Sequence, residues 1–445
     1  MGATERFADF AVHTRLEDVP ATVTDAARLV VLDTIGVSLA ALDVPIGRIV
    51  QDYAAAVGGD DGPHVLGTGI RAAAPIAAQA NGTLAHGLDY DDHGHLSTHV
   101  LPAALAIGEL RGSSGAELLA AYVLGRECGF RLSSIIEAKR KQKLGPTYRG
   151  WYRVGVVGPV AAAVAASRML ALDTGRTRHA IAIACSSSAG LRRNLGTMTK
   201  ALHAGNGAYA GVTAALLAER GFTADAEAIE GELGLVGAIC LPGEAEWEPL
   251  ERLGDPYELA QKIGVKNFPA CSPSHVPAEI VLRLREKHGV DPAEVVAVEA
   301  DLHQFSLRRP DPQEAIATGY SLPYLLAIAL VDGALGLDQV DGTRLHDPAV
   351  RALMARVTHD PQAAPAGRPE RVTIRLADGT VLVEEADGKP DLRTAGPIIA
   401  KFADCASRRL DAEGVARLRD AVLESTVDVR SLLELTRSPR EAAPC

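Results

Sequence analysis

The chain has 445 residues, a formal net charge of −11, 47% hydrophobic residues and only 4% aromatic ones. An acidic balance argues against nonspecific nucleic-acid binding, which needs clustered positive charge. The hydrophobic content excludes a disordered chain, and the length suggests more than one domain.

With alanine the commonest residue, the core must be built from small aliphatics, and alanine has the best helix propensity, so a mostly helical protein is expected. The start, MGATERFADF, has no apolar signal core. The longest strongly apolar run, Val154 to Ala166, falls short of the ~20 residues that cross a bilayer. The six cysteines are scattered, with no C-x-x-C pair, so neither a zinc finger nor a redox dithiol is expected. These features predict a cytoplasmic protein with reduced thiols and no membrane or nucleic-acid partner.

Helical signals run from the N-terminus to about residue 265. Pro20 to Leu42 places Val23, Ala27, Val30, Val31, Thr34 and Val37 at three- and four-residue steps behind an initial proline. Ser114 and Glu117 form a capping-box pattern before a helix reaching about Leu132. Ala161–Leu172, Thr177–Ala184 and Ala208–Glu219 read as buried helices. Val295–Leu302 then reads as a strand. Pro323–Leu335 and His346–Val357 read as helices, and Gln362–Pro369 as a loop. Arg371–Leu376 and Thr380–Glu384 alternate around Asp378-Gly379, a hairpin signal. From Pro397 the pattern is helical again. The expected fold is mainly α: a discontinuous all-helical domain (1–266 and 395–445) carrying an inserted α+β lid (267–394).

The densest chemistry is AHGLDYDDHGHLSTH at 85–99, where His86, His93, His95 and His99 put four of the 13 histidines within 14 residues. Asp89, Asp91 and Asp92 lie among them. Carboxylates with imidazoles suit either acid–base chemistry or a divalent metal. The spacing matches no sharp metal pattern such as H-E-x-x-H, and an acid–base site is favoured. Asp91 and Asp92 are the best candidates for a structural role, since Asp caps turns and helices. There is no G-x-S-x-G elbow, Walker A or G-x-G-x-x-G motif.

AHGLDYDDHGHLSTHVLPAALAIGE resembles the signature of the MmgE/PrpD family, whose members include 2-methylcitrate dehydratase, cis-aconitate decarboxylase and iminodisuccinate epimerase. VVLDTIGVSLAAL, SSAGLRRNLGTMTKALHAGNGAYAGVTAALLAERGFTA, VKNFPACSPSH and SLPYLLAIALVDG resemble further motifs in the family's order. The resemblance implies a helical domain with a smaller α+β lid, usually dimeric. It implies a site between them that needs neither metal nor organic cofactor. By residue, it implies that Asp89, His99, Lys200, Lys266 and Tyr324 match site positions, with His93 where Thr is frequent. Two positions depart. Tyr152 stands where decarboxylase- and dehydratase-like members carry His, and Cys271 where the decarboxylase has another, with His275 four residues later. Together the departures weigh against decarboxylation in particular and also weaken 2-methylcitrate dehydration.

The shared task looks like moving a proton on a carbon beside a carboxylate. That needs a positioned base and cations aimed at the developing enediolate. Lys200 and Lys266 are suitable cations, or bases if their pKa falls. Arg192 and Arg193 are candidate carboxylate binders. Tyr152 is a candidate proton donor or base, and Cys271 a pocket wall. The favoured expectation is a cofactor-independent epimerase acting on a small di- or tricarboxylate, of the iminodisuccinate-epimerase type. The alternatives are a lyase, of the 2-methylcitrate-dehydratase type before the cis-aconitate type, and a noncatalytic dimeric binding protein.

Overall fold

Helices dominate the computed structural model, which describes residues 1–438 except 60, 262, 303–308, 361–368, 387 and 389. The loop expected over Gln362–Pro369 therefore lies, but for Pro369, outside the described residues.

The helical body is built around Ala74–Ala85, Ser97–Arg111, Gly115–Ile136, Arg153–Met169 and Met198–Glu219. Its small residues are used at the crossings. A Cβ added at Gly207 would stand 3.1 Å from Gly158 Cα, and one at Gly211 would stand 2.4 Å from Ala162 Cβ and 2.5 Å from Ala163 N. A Cβ at Gly205 would meet Gln79 O at 2.4 Å. Three helices thus touch almost backbone to backbone, which an aromatic-rich core would not allow. Gly211→Ala is expected to cost about 1–3 kcal/mol of stability by overpacking. Urea unfolding checks this.

Two helices start more than a turn before the residue that periodicity predicts. The helix expected from Ala161 begins at Arg153 and runs through Pro159. Proline removes a donor to the carbonyl four residues back. Here that carbonyl, Gly155 O, accepts the Ala189 N–H at 3.1 Å. The helix expected from Ala208 begins at Met198, which puts Lys200 in its first turn. The capping box is present: Ser114 Oγ accepts the Glu117 N–H at 3.2 Å and Glu117 Oε2 accepts the Ser114 N–H at 2.8 Å.

The later part holds a four-stranded sheet in the order β2-β1-β3-β4, with β1 Val295–Asp301, β2 Val357–Asp360, β3 Glu370–Leu376 and β4 Val381–Ala386. β1 pairs with β2 in parallel (Val298 opposite Val357) and with β3 antiparallel (Val298 opposite Ile374). The β3–β4 hairpin turns at Gly379, φ +89°, with Asp378 Oδ1 accepting the Thr380 N–H at 2.8 Å. β2 was not anticipated. The helix read as His346–Val357 is shorter, Pro348–Met354, and a four-residue strand follows it. His275–His288 and Leu322–Asp332 supply Ile280, Leu284, Leu326 and Leu330 to a core shared with Val298 and Ile374.

The chain then returns to the helical body. Ala395–Ala406 lies on Ala21–Ala40, where Gly36 admits the Phe402 ring and Lys401 pairs with buried Asp33 at 2.8 Å. The outward and return crossings run side by side. Val265 N–H donates to Leu392 O at 3.2 Å and Leu392 N–H to Val265 O at 2.8 Å. Beside them, the His93 N–H donates to Gly264 O at 3.0 Å. Among the described residues no single helix is long and apolar enough to cross a membrane, and the five described cysteines are free.

Candidate active site

The loop after Ala74–Ala85 carries the cluster, and its backbone is unusual. Asp89 (φ +50°) and His95 (φ +58°) are left-handed without being glycine. Such residues cost of order 1–3 kcal/mol and persist only where surroundings impose them. Two ammoniums hold Asp89. Lys200 Nζ donates to Asp89 Oδ1 at 2.7 Å, and Lys266 Nζ donates both to Oδ1 at 2.5 Å and to the Asp89 carbonyl at 2.7 Å. All three residues are buried.

Burial opposes the charge on Asp89, but the two lysines outweigh it and hold the carboxyl well below the usual range. The lysines diverge. Burial, reinforced by Lys266, lowers the Lys200 pKa despite Asp89. For Lys266, burial is outweighed by Asp89 and Asp91, and its pKa rises. The surroundings thus pull the two in opposite directions, Lys200 towards the neutral amine and Lys266 towards the ammonium.

Asp91 bridges two imidazoles. Its Oδ1 lies 3.0 Å from His86 Nδ1 and its Oδ2 2.7 Å from His95 Nδ1. His86 in turn reaches Tyr152, with Nε2 3.1 Å from the phenol oxygen, and its Nδ1 is 3.3 Å from Lys200 Nζ. Tyr152 is the N-cap of Arg153–Met169, and its ring meets that of His203 edge-on with centroids 5.4 Å apart. Burial, then the charges of Asp89 and Asp91, push the Tyr152 phenol well above its usual range. Tyr320, from the lid side, lies beside Asp89, with Lys200 Nζ 5.9 Å from its ring centroid; burial and Asp89 raise its pKa likewise. A cleft of about 220 Å³ opens here, with Leu88, Asp89, Met198, Thr318 and Tyr320 in its wall.

The other candidates fall in different places. Asp92 supports the frame: it pairs with buried Arg126 at 3.0 Å, and Arg126 also pairs with Glu258. His99 is fully buried in the Ser97–Arg111 helix, and neither ring nitrogen has a hydrogen-bond partner among the described residues. His93 faces the crossing, bonding Ser272 Oγ at 2.9 Å and pairing with Asp391. Cys271 is half-buried close by, and its N–H donates to Gly319 O at 2.9 Å. His275 is buried against Ala270 O at 3.0 Å, with its ring 5.5 Å from that of His93. Arg192 donates to Thr147 O at 3.3 Å, and Arg193 is exposed. Tyr324 donates its hydroxyl to Gln339 O at 2.7 Å, inside the lid core.

Sequence reasoning missed Tyr320, His203 and Arg309. Arg309 lies against Gly196 and Tyr320: a Cβ at Gly196 would meet Arg309 Cγ at 2.9 Å and Tyr320 Cβ at 3.3 Å. Its guanidinium Nε is buried without a hydrogen-bond partner, and no carboxylate pairs with it among the described residues. No motif marks it.

His86, Asp89, Asp91 and His95 bring potential donor atoms within 4.8 Å of one another. The set suits a dication poorly. Asp91 is committed to two imidazoles and Asp89 to two ammoniums, whose charge would oppose a metal.

Burial lowers the pKa of both His95 and His99 to about 3. Their folded pKa values lie below the unfolded value of about 6.5, so their stabilisation is complete above that pH. It is lost as pH falls from about 6.5 towards 3, at up to roughly 1.4 kcal/mol per pH unit for each. Urea unfolding at pH 7 and pH 5 is expected to show the loss, with a shallower slope in His99→Leu.

A helical body and a smaller sheet-bearing part, with a buried cluster of aspartates, lysines and histidines where they meet, define a two-part, mainly α protein. The MmgE/PrpD N-terminal domain model matches residues 5–248 and the MmgE/PrpD C-terminal domain model residues 268–426. The chain belongs to the MmgE/PrpD family. It is 28% identical to a cis-aconitate decarboxylase of Mus musculus, over 98% of this chain and 93% of the relative. It is 25% identical to one of Aspergillus terreus, over 98% and 96%. It is 24% identical to a 2-methylcitrate dehydratase of Cupriavidus necator, over 93% and 91%. These relatives are lyases by name.

Proposed function

We propose that the protein removes the α-proton of a small di- or tricarboxylate without a cofactor. One observation carries this reading: Lys200 and Tyr152 flank the two nitrogens of His86, beside a carboxylate held by two lysines. Lys200, with its lowered pKa, takes a proton as an amine. Lys266 stays charged and faces the negative charge that develops on the substrate carboxylate, where a fixed cation stabilises the transition state most. Tyr152 exchanges a proton with the substrate from the other edge of His86.

Two proton-handling groups suit return of a proton to the opposite face, so epimerisation is the favoured reaction. Loss of a β-hydroxyl after the same first step is the second reading, favoured by the likeness to a 2-methylcitrate dehydratase. Decarboxylation is disfavoured, because Tyr152 and Cys271 stand where a decarboxylase-like site would have histidines. A homodimer belongs to this reading, and sedimentation checks it.

A panel of small polycarboxylates in D₂O, including cis-aconitate and 2-methylcitrate, is followed by NMR. Deuterium uptake with inversion supports the epimerase, and alkene formation the dehydratase. Absence of exchange across the panel overturns proton transfer and leaves a binding protein. Arg309→Ala is expected to raise KM about tenfold with little change in kcat, the pattern of lost uniform binding, because Arg309 packs beside Tyr320 of the cleft wall and no carboxylate pairs with it among the described residues. Steady-state kinetics on the responding acid reads this.

A further inference from the structure

A buried phenol cannot take a proton while it still holds its own. Tyr152 is such a phenol, so its role as a base needs somewhere for the hydroxyl proton to go. The side chains behind it offer a place. Asp91 is fully buried and His86 is 1% exposed. Asp91 Oδ1, His86 Nδ1, His86 Nε2 and the Tyr152 oxygen form a continuous line with contacts of 3.0 and 3.1 Å.

Donor counting favours one direction for this line. Nδ1 faces the Asp91 carboxylate at 3.0 Å and Lys200 Nζ at 3.3 Å. The carboxylate only accepts and is the nearer, and Lys200 already donates to Asp89 at 2.7 Å, so Nδ1 carries the hydrogen and Nε2 keeps its lone pair. The Tyr152 O–H then donates to Nε2. The opposite tautomer would set the Nδ1 lone pair against the Asp91 carboxylate at 3.0 Å. The other groups facing His86 are Lys200, 3.3 Å from Nδ1, and His95, whose ring centroid is 4.6 Å away. Asp91 also holds His95, which fixes the carboxylate from its other oxygen.

We propose that Asp91, His86 and Tyr152 form a proton relay through which Tyr152 acts as a second carbon base, alongside Lys200. The step balances. The substrate C–H bond breaks and its electron pair stays on the carbon as the enediolate. The proton goes to the Tyr152 oxygen, while the Tyr152 hydroxyl proton goes to His86 Nε2. The imidazolium so formed lies against the Asp91 carboxylate. Reversal of the same transfers returns a proton to carbon. Tyr152 and His86 move protons, and Asp91 is a positioning residue. The arrangement parallels the carboxylate–imidazole–hydroxyl line of hydrolytic triads, with a carbon-bound proton as the target in place of a carbonyl.

This rests on the proposed function, so the test has two separable arms. The first needs no substrate. ¹⁵N-histidine-labelled protein, with His86 assigned by a His86→Gln variant, is expected to show the Nδ1-protonated tautomer from pH 6 to 9. Tyr152→Phe is expected to shift the Nε2 resonance, and Asp91→Asn to abolish the tautomer preference. An Nε2-protonated wild type, or a Tyr152→Phe variant with an unmoved His86 signal, overturns the relay. The second arm uses whichever acid of the panel exchanges deuterium. His86→Gln is expected to lower kcat about 100-fold with KM held within about threefold, as loss of acid–base assistance predicts. A His86→Gln enzyme with wild-type exchange overturns the relay even where the tautomer agrees. A panel without exchange overturns the proposed function, while the tautomer still decides the relay's direction.

Discussion

Lys200→Met is expected to lower the rate of α-proton exchange about 10³-fold, within the range of general-base and electrostatic losses combined. Lys200→Arg is expected to fail almost as badly, although it keeps the charge, because a guanidinium does not release its proton at working pH. That pair of variants separates a base from a cation. If Lys200 were only an anion binder, arginine would retain much of the rate. The wild-type rate is expected to rise with pH through a limb below the ordinary lysine range, since burial and Lys266 lower the Lys200 pKa. Both variants lose that limb. Exchange rates in D₂O across pH 6–10 give the result, with circular dichroism as the check on folding.

Asp89→Asn is expected to remove about 3–5 kcal/mol of stability at pH 7, the penalty for leaving buried charge without its partner. Asp89 is the carboxylate shared by Lys200 and Lys266, and all three are buried. The amide keeps the shape but not the charge, so the buried Lys266 ammonium loses its counter-ion and Lys200 is driven further towards the neutral amine. The sign with pH follows from the depressed folded pKa of Asp89. Its contribution is complete above the unfolded carboxylate value of about 4 and is lost as pH falls further. The gap between wild type and variant is therefore widest near neutrality and narrows below about pH 4. Urea midpoints at pH 7 and pH 3.5 measure it.

Much of this site can be read from the chain because one short loop holds so much of it. The histidine-rich run at 85–99 stands out by composition, and Asp89 with Lys200 and Lys266 follows from ordered motifs. Roles within the loop do not follow. Asp91 reads as a turn-capping residue, and only three dimensions show it between His86 and His95. The His86–Tyr152 contact spans 66 residues of sequence, beyond any local pattern. Tyr324 carries the recognisable motif, yet its hydroxyl is spent on Gln339 O, while unremarked Tyr320 lies beside Asp89. Of the fold, the capping box and the hairpin at Asp378-Gly379 are local chemistry and read directly. β2 is too short for periodicity, and the true starts at Arg153 and Met198 are hidden by glycines and a proline that close tertiary contacts accommodate.

The paired crossings at Val265 and Leu392 tie the two parts of the molecule together. The chain enters and leaves the sheet-bearing part side by side, at a reciprocal pair of backbone hydrogen bonds. Lys266 follows Val265 directly and reaches Asp89 from that junction, while Tyr320 reaches the same carboxylate from beyond it. One aspartate therefore fastens both the crossing and the sheet-bearing part to the helical body.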